Sequence, residues 1–357
     1  IIYSSMEYPI IKVFVPAIMA FVIGLIITPF ITHYLFKYKV WKKQGGKTAM
    51  GGHVATEFNR LKGEGEIKTP RMGGIVIWSS VLLTIVALGL IETIFPASQW
   101  ASVYFLSRAQ TWIPVAALII GAGIGFLNDY YDVVHGGKGL SLRIRLIIIS
   151  VLAGGIGYWF YAKLGVDAIG IPFDGALYVG WLIVPFFIFL TISLYASGVI
   201  DGIDGLSGGV FTAVFLSYAG VAFVQSQYDI AALSATIAGG ILAFLWFNIP
   251  PARFWMTETG SMALTLSLAV IVFMTDELGG GHGITLLPII GLPLLATVIS
   301  NVLQLSYRKA TGKKLFRIAP LHHHFEAIGW SSTKVTMRYW ILSIMCAVTG
   351  LVLAPCM

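Results

Sequence analysis

Apolar residues along this chain fall in long, nearly uninterrupted runs separated by short polar stretches. A run of about 20 such residues is long enough to cross a bilayer as a helix. The pattern predicts helices near 10–34, 73–95, 112–128, 143–163, 176–195, 206–225, 231–249, 260–275, 284–305 and 335–355. The expected fold is all-α: a polytopic integral membrane protein of about ten transmembrane helices. The short third and eighth runs are candidates for re-entrant or broken segments, and the glycines between Gly136 and Gly139 and from Gly279 to Gly281 mark turns. The first run has neither the basic flank nor the small-residue cleavage site of a signal peptide, and reads as a retained span.

Composition agrees with the pattern. Of the 357 residues, 57% are hydrophobic and 11% charged, whereas a soluble domain carries about 25% charged residues. The mean hydropathy is +0.85. Because the apolar runs extend from end to end, no segment is left to fold as a water-exposed core, and residues 1–357 read as a single membrane-embedded domain. Cys346 and Cys356 lie in or just after the last run, without metal-ligand spacing or a disulfide framework.

Charge then orients the helices. With ten crossings, one set of alternate loops and adjoining helix ends holds 20 of the 23 lysines and arginines, leaving only Lys12, Arg108 and Lys163 for the other side. The positive-inside rule puts the basic loops in the cytoplasm and both termini outside it. The net charge of +7 is thus a one-sided field. It fits attraction to anionic membrane lipids and equally a polyanionic substrate; nothing in it calls for nucleic acid.

Most of the unusual polar groups lie on the same face. Asp201 and Asp204, in G-V-I-D-G-I-D-G-L-S-G-G from Gly198 to Gly209, are spaced to share one face of a helix. Carboxylates beside a membrane are costly, and they mark a functional site unless they merely cap a helix. Lys68, Thr69, Asn128, Asp129, Lys138, Arg143, Arg145, Asn248, Glu258 and the run His322, His323, His324 come from other loops on this face. Carboxylates to hold Mg²⁺, cations to offset phosphate charge and glycines to permit close approach are what phosphoryl transfer needs. No Walker-type phosphate loop is present. Three consecutive histidines diverge too far to close on one zinc ion, so hydrogen bonding to a pyrophosphate, ribose or sugar is the better use for them.

T-P-R-M-G-G (Thr69 to Gly74), G-F-L-N-D-Y (Gly125 to Tyr130), D-G-I-D-G-L (Asp201 to Leu206), W-F-N (Trp246 to Asn248), E-T-G-S (Glu258 to Ser261) and A-P-L-H-H-H-F-E (Ala319 to Glu326) occur in one order over nearly the whole chain. In these motifs the chain resembles the polyprenyl-phosphate N-acetylhexosamine-1-phosphate transferases. The resemblance implies a ten-span, Mg²⁺-dependent enzyme of the bacterial inner membrane with its active site facing the cytoplasm. It would move phospho-MurNAc-pentapeptide from UDP to undecaprenyl phosphate, making lipid I and UMP for the cell wall. A homodimer stays open as the assembly. Members usually carry Asp-Asp at Asn128-Asp129, aspartate at Glu258, and asparagines at Tyr195 and Gly198.

On this resemblance Glu258 is the leading Mg²⁺ ligand, with Asp129 and Asp201 near the metal and phosphates, and Asp204 orients the nucleotide. Asn128 is tolerable in one-step attack, since a lipid phosphate is already mostly dianionic at neutral pH. A two-step route would use Asp201 as nucleophile. Lys68, Thr69, Lys138, Arg145, Asn248, His322, His323 and His324 are candidate substrate contacts, and Trp255 would stack the uracil or else anchor the interface. Asp132 reads as a solvated helix end. A paralogue using another UDP-N-acetylhexosamine, a homologue that binds without turnover and a membrane transporter are the competing readings; the last predicts mid-span charges and inverted repeats.

Overall fold

The computed structural model describes residues 7–41, 68–108, 110–136, 139–172 and 175–356. Lys138 lies outside them. In lipid every backbone donor and acceptor must be satisfied within the protein, which favours helices throughout. They are α1 (Glu7–Lys37), α2 (Ile75–Ile94), α3 (Trp112–Val134), α4 (Leu142–Leu164), α5 (Ile183–Ser197), α6 (Leu206–Val224), α7 (Tyr228–Asn248), α8 (Thr257–Met274), α9 (Gly283–Ile290), α10 (Leu292–Thr311), α11 (Leu321–Ala327) and α12 (Ser332–Leu353). Among the described residues nine helices are long and apolar enough to span a membrane, or ten if the bent pair α9–α10 counts as one crossing.

Three details depart from the sequence reading. The third and eighth runs are continuous helices, α3 and α8; the break falls in the ninth run, where α9 and α10 meet at 75°. Gly291 separates them, Pro288 lies inside α9 and Pro293 opens α10, so ladder donors are missing around the joint. α10 keeps Leu294, Thr297 and Ser300 buried against its neighbours and turns Leu292, Leu295, Ile299, Val302 and Leu303 outward. The start of the fifth run is not helical. Strand β2 (Ala176–Tyr178) pairs antiparallel with β1 (Ala168–Gly170), so the chain is mostly helical rather than all-α. This hairpin is tied to the end of α8, where the Gly170 amide donates to Asp276 Oδ2 at 3.0 Å.

α8 forms the axis of the bundle, with 94% of its span buried, whereas α1 and α4 are only 22% buried and turn apolar side chains outward. α3 and α5 pack on α8, α4 packs on α5, α7 lies between α1 and α6, and α12 covers α6. Association in lipid gains little from the hydrophobic effect, so close backbone packing has to hold such helices together. The α3–α8 contact shows how. A Cβ at Gly121 would sit 2.7 Å from the Met262 carbonyl oxygen, and one at Gly125 would run into the Glu258 carbonyl. Gly121 and Gly125 are one turn apart on the same face. The next residue on that face is Asp129.

Gly125→Ala should therefore lower the melting temperature in detergent, by an amount corresponding to about 1–3 kcal/mol of overpacking. Gly123→Ala, at a position with nothing within 4 Å of a new Cβ, should leave it unchanged or raise it.

Candidate active site

The turn of α3 beyond the glycine contact carries Asn128, Asp129 and Asp132, all buried. Asp129 Oδ2 accepts from the Thr257 hydroxyl at 2.5 Å, the Thr259 hydroxyl at 2.6 Å and the Thr259 amide at 2.8 Å. Both threonines belong to the first turn of α8, so the carboxylate closes that helix N-terminus, where donors are otherwise unpaired and the helix dipole favours an anion. Asn128 accepts from the Leu140 amide at 3.0 Å and directs its own amide to Asp129 Oδ1 at 3.4 Å. Asp132 is not a solvated helix end: Arg71 pairs with it at 3.2 Å, because the Pro70–Gly74 segment folds over this end of α3.

That segment is laced to the chain entering α8. Trp255 donates to the Pro70 carbonyl at 2.9 Å, Gly73 to the Trp255 carbonyl at 2.8 Å, and Gly74 to the Met256 carbonyl at 3.2 Å. At the centre the Met72 amide donates to Thr257 Oγ1 at 3.1 Å. Thr257 has φ +53°, a left-handed backbone that a β-branched residue rarely adopts.

Asp201 and Asp204 do not share a helical face. A 3-10 turn, Gly198–Ile200, ends α5, and the aspartates lie in the loop before α6, where Gly205 takes φ +75°. The tight loop sends the two side chains to different partners. Asp201 accepts from Ser207 Oγ at 2.7 Å and from the Thr257 amide at 2.8 Å. Desolvation in this packed corner pushes the Asp201 carboxyl above its ordinary range, and the Ser207 and Thr257 bonds pull it back. Asp204 accepts from the Trp255 indole at 3.0 Å and from the Ala252 amide at 3.1 Å. Asn248 fastens the same loop, accepting from the Gly205 amide at 3.0 Å and donating to the Phe254 carbonyl at 2.8 Å.

Glu258 follows Thr257 and pairs with Arg145 from the first turn of α4; the Tyr195 hydroxyl lies 3.4 Å from the same carboxylate oxygen. α11 approaches from the other side. A Cβ at Gly202 would lie 2.5 Å from His323 Nε2 and 2.8 Å from His322 Nε2, so the missing side chain lets two imidazole edges reach the aspartate loop. His323 is oriented by Glu326, 2.7 Å from its Nδ1, and Glu326 in turn accepts from Ser332 at 2.5 Å. His324 stands apart, its ring against Phe316 and its Nδ1 accepting from the Arg317 amide at 3.3 Å. Lys68 is exposed and Thr69 half-buried at the edge of this region.

Asn128, Asp129, Asp201, Asp204, Arg145, Asn248, Trp255, Glu258, His322 and His323 are thus gathered at one end of the bundle. Sequence reasoning missed Arg71, Thr257, Thr259 and Ser207, which hold the carboxylates, and the part Tyr195 plays beside Glu258. T-P-R-M and E-T-G-S contained two of them, Arg71 and Thr259, but a hydroxyl's partner across the chain leaves no local signal.

The donor set bears on a divalent cation. Asp129, Asp201 and Glu258 offer only hard oxygens, the type Mg²⁺ prefers, and the charge of Asp129 reaches Asp201. Among the described residues no three acidic or imidazole groups close on one ion-sized point. The set fits the mode in which one or two carboxylates hold Mg²⁺ and substrate phosphates and water complete its shell.

Residues 111–276, which carry α3 to α8 and most of these groups, match the Glycosyl transferase family 4. Proteins named phospho-N-acetylmuramoyl-pentapeptide-transferase are similar over most of their length. That of Rhodopseudomonas palustris (strain BisA53) is 35% identical over 79% of this chain and 79% of its own. That of Geobacillus sp. (strain WCH70) is 33% identical over 94% of this chain and 95% of its own. That of Listeria monocytogenes serotype 4b (strain CLIP80459) is 31% identical over 92% and 94%. The chain belongs to glycosyl transferase family 4 and, within it, to the phospho-N-acetylmuramoyl-pentapeptide-transferases.

Because Thr257 Oγ1 serves both Asp129 and the Met72 amide, Thr257→Val should destabilise the protein by about 1–3 kcal/mol, the cost of leaving buried groups unpaired. Thr257→Ser, which keeps the hydroxyl, should stay near the wild-type melting temperature in detergent.

Proposed function

We propose that this protein transfers phospho-MurNAc-pentapeptide from UDP-MurNAc-pentapeptide to undecaprenyl phosphate, forming lipid I and releasing UMP for peptidoglycan synthesis. The relatives' shared name supports the reaction. The observation that carries it to this chain is the convergence of Asp129, Asp201 and Glu258, with Arg71 and Arg145, around the N-terminus of α8. A transporter would place its charges near mid-span; these lie at helix ends.

In the reaction a lipid-phosphate oxygen forms a bond to the β-phosphorus. The bond from that phosphorus to the oxygen bridging the α-phosphate breaks, and UMP leaves with the bridging oxygen and its electron pair. Both reactants are anions, so charge neutralisation and alignment matter more than proton transfer. Arg145 and Arg71 supply fixed positive charge, and Arg145 can offer a bidentate fork to a diphosphate. His322 and His323 face the Asp201 loop across Gly202, in reach of a phosphate or sugar seated there. Asp204 and Trp255, already joined, form the nucleotide side, with the indole as stacking surface. Asn128, unable to ionise, holds the Leu140 turn beside Asp129. Glu258, with Asp129 and Asp201, would hold Mg²⁺, which when bound offsets the charge on the transferring phosphoryl group.

We also place this single membrane domain in the bacterial inner membrane, with the site facing the cytoplasm and both termini outside. The segregation of basic residues supports that orientation. A homodimer is compatible with the exposed apolar faces.

Purified protein in detergent, given Mg²⁺, undecaprenyl phosphate and UDP-MurNAc-pentapeptide, should release UMP; none with any UDP-N-acetylhexosamine would end the transferase reading. Asp201→Asn and Glu258→Gln should each lower turnover by at least about 100-fold, the scale of losing one electrostatic group, and full activity in Asp201→Asn would remove that residue from the mechanism. For orientation, Cys356 is exposed and Cys346 buried. A membrane-impermeant maleimide added to intact spheroplasts should label Cys356, and labelling only after lysis would reverse the topology.

A further inference from the structure

Of the three carboxylates assigned to the metal, Glu258 is the one whose contacts among the described residues all fall on a single oxygen. Asp129 gives one oxygen to three donors and each oxygen of Asp201 already accepts a bond, whereas both contacts of Glu258 fall on Oε1. The stronger of them is a cation. Arg145 lies against Oε1 with its side chain 19% exposed and that of Glu258 26% exposed, so the pair is largely screened from water. The Arg145 guanidinium carbon also stands 6.0 Å from the centre of the Tyr195 ring, close enough for a cation–π attraction. Tyr195 thus touches both members, its ring facing the arginine and its hydroxyl facing the glutamate.

Two features show that the arginine is not fully used by this pairing. Its Nε–H, although buried, has no hydrogen-bond partner among the described residues. It also sits in the first turn of α4, where the Arg145 amide bonds Ser141 and the side chain reaches inward from a peripheral helix. A guanidinium keeps its charge at any working pH and presents a planar fork suited to phosphate oxygens. A divalent ion and a guanidinium cannot crowd one carboxylate without repelling each other.

We propose that Arg145 is a built-in counter-cation that competes with the divalent metal for Glu258 in the substrate-free protein and releases it when a diphosphate takes the guanidinium. Arg145 is then a positioning residue with two alternative partners, and Tyr195 steadies it in the first. Metal binding and diphosphate binding become linked through one side chain, and the link is reciprocal. The inference rests on the proposed assignment of Glu258 to the metal.

The test is direct Mn²⁺ binding, followed by electron paramagnetic resonance, to the full-length protein in detergent without nucleotide. Arg145→Ala should bind Mn²⁺ roughly tenfold more tightly than wild type, within the usual span of coupling between sites. Arg145→Gln, which keeps much of the side chain's bulk without its charge, should do the same and decides the matter if the alanine variant does not fold. Arg145→Lys should stay within about threefold of wild type. Mn²⁺ affinity unchanged or weaker in the neutral variants, while Glu258→Gln loses binding, would overturn the competition but leave the metal assignment standing. Wild-type affinity in Glu258→Gln would overturn the metal assignment and the competition with it.

Discussion

The site depends on one strained residue. Thr257 is held at φ +53°, a conformation that costs on the order of 1–3 kcal/mol and persists only when its surroundings over-determine it. They do so from three directions. Its amide is fixed by Asp201 of the α5–α6 loop, its hydroxyl by Asp129 of α3, and the Met72 amide of the Pro70–Gly74 segment bonds that same hydroxyl. Met72 itself has φ +65°, so two strained backbones meet across one hydrogen bond. The left-handed turn at Thr257 aims its amide and hydroxyl at separate carboxylates and leaves Glu258, the next residue, to meet Arg145. Without it the first turn of α8 could not serve Asp129 and Asp201 together.

This knot can form only if α3 reaches α8 at backbone distance, which Gly121 and Gly125 allow. Packing and chemistry are therefore one problem at this end of the bundle. The helices approach closely because they lack side chains at those positions, and closeness delivers Asp129 to α8. One of the donors to Asp129, the Thr259 amide, is a backbone group that otherwise would be orphaned at a helix N-terminus in lipid, and the other two are threonine hydroxyls. A carboxylate buried here is expensive alone but offset by three hydrogen bonds and the helix dipole.

Much of this was legible in the chain, for identifiable reasons. Length and hydropathy alone set the spans, and the clustering of Asp129, Asp201, Asp204, Arg145 and Glu258 followed from counting basic loops, since alternate loops must share a face. What escaped was local geometry. Ala176 to Tyr178 is apolar enough to read as helix, and only its pairing with Ala168 to Gly170 makes it strand. An averaging window hides the ninth-run break, although Pro288, Gly291 and Pro293 mark it one by one. Asp201 and Asp204 have helical spacing, but the left-handed Gly205 between them and α6 keeps them in a loop. Thr257 and Thr259 look like ordinary helix-start residues until a distant aspartate is seen to claim them.

The electrostatic balance bears on how the proposed site would accept two anions. Asp129, Asp201 and Glu258 would repel a phosphate if they acted unshielded, yet each is already engaged: the first two by hydroxyls and amides, the third by Arg145. Neutral donors stabilise a carboxylate in place without cancelling its charge at a distance, whereas Arg145 and Arg71 lower the field directly. The balance therefore falls mainly on two arginines, both tethered to acidic partners, Glu258 and Asp132. In the proposed exchange an arriving diphosphate would compete with Glu258 for Arg145, and a divalent cation would become more favourable at that carboxylate. Binding of the first anion would then prepare the charge environment for the second, so that charge is exchanged among partners rather than built up in a low-dielectric end of the bundle.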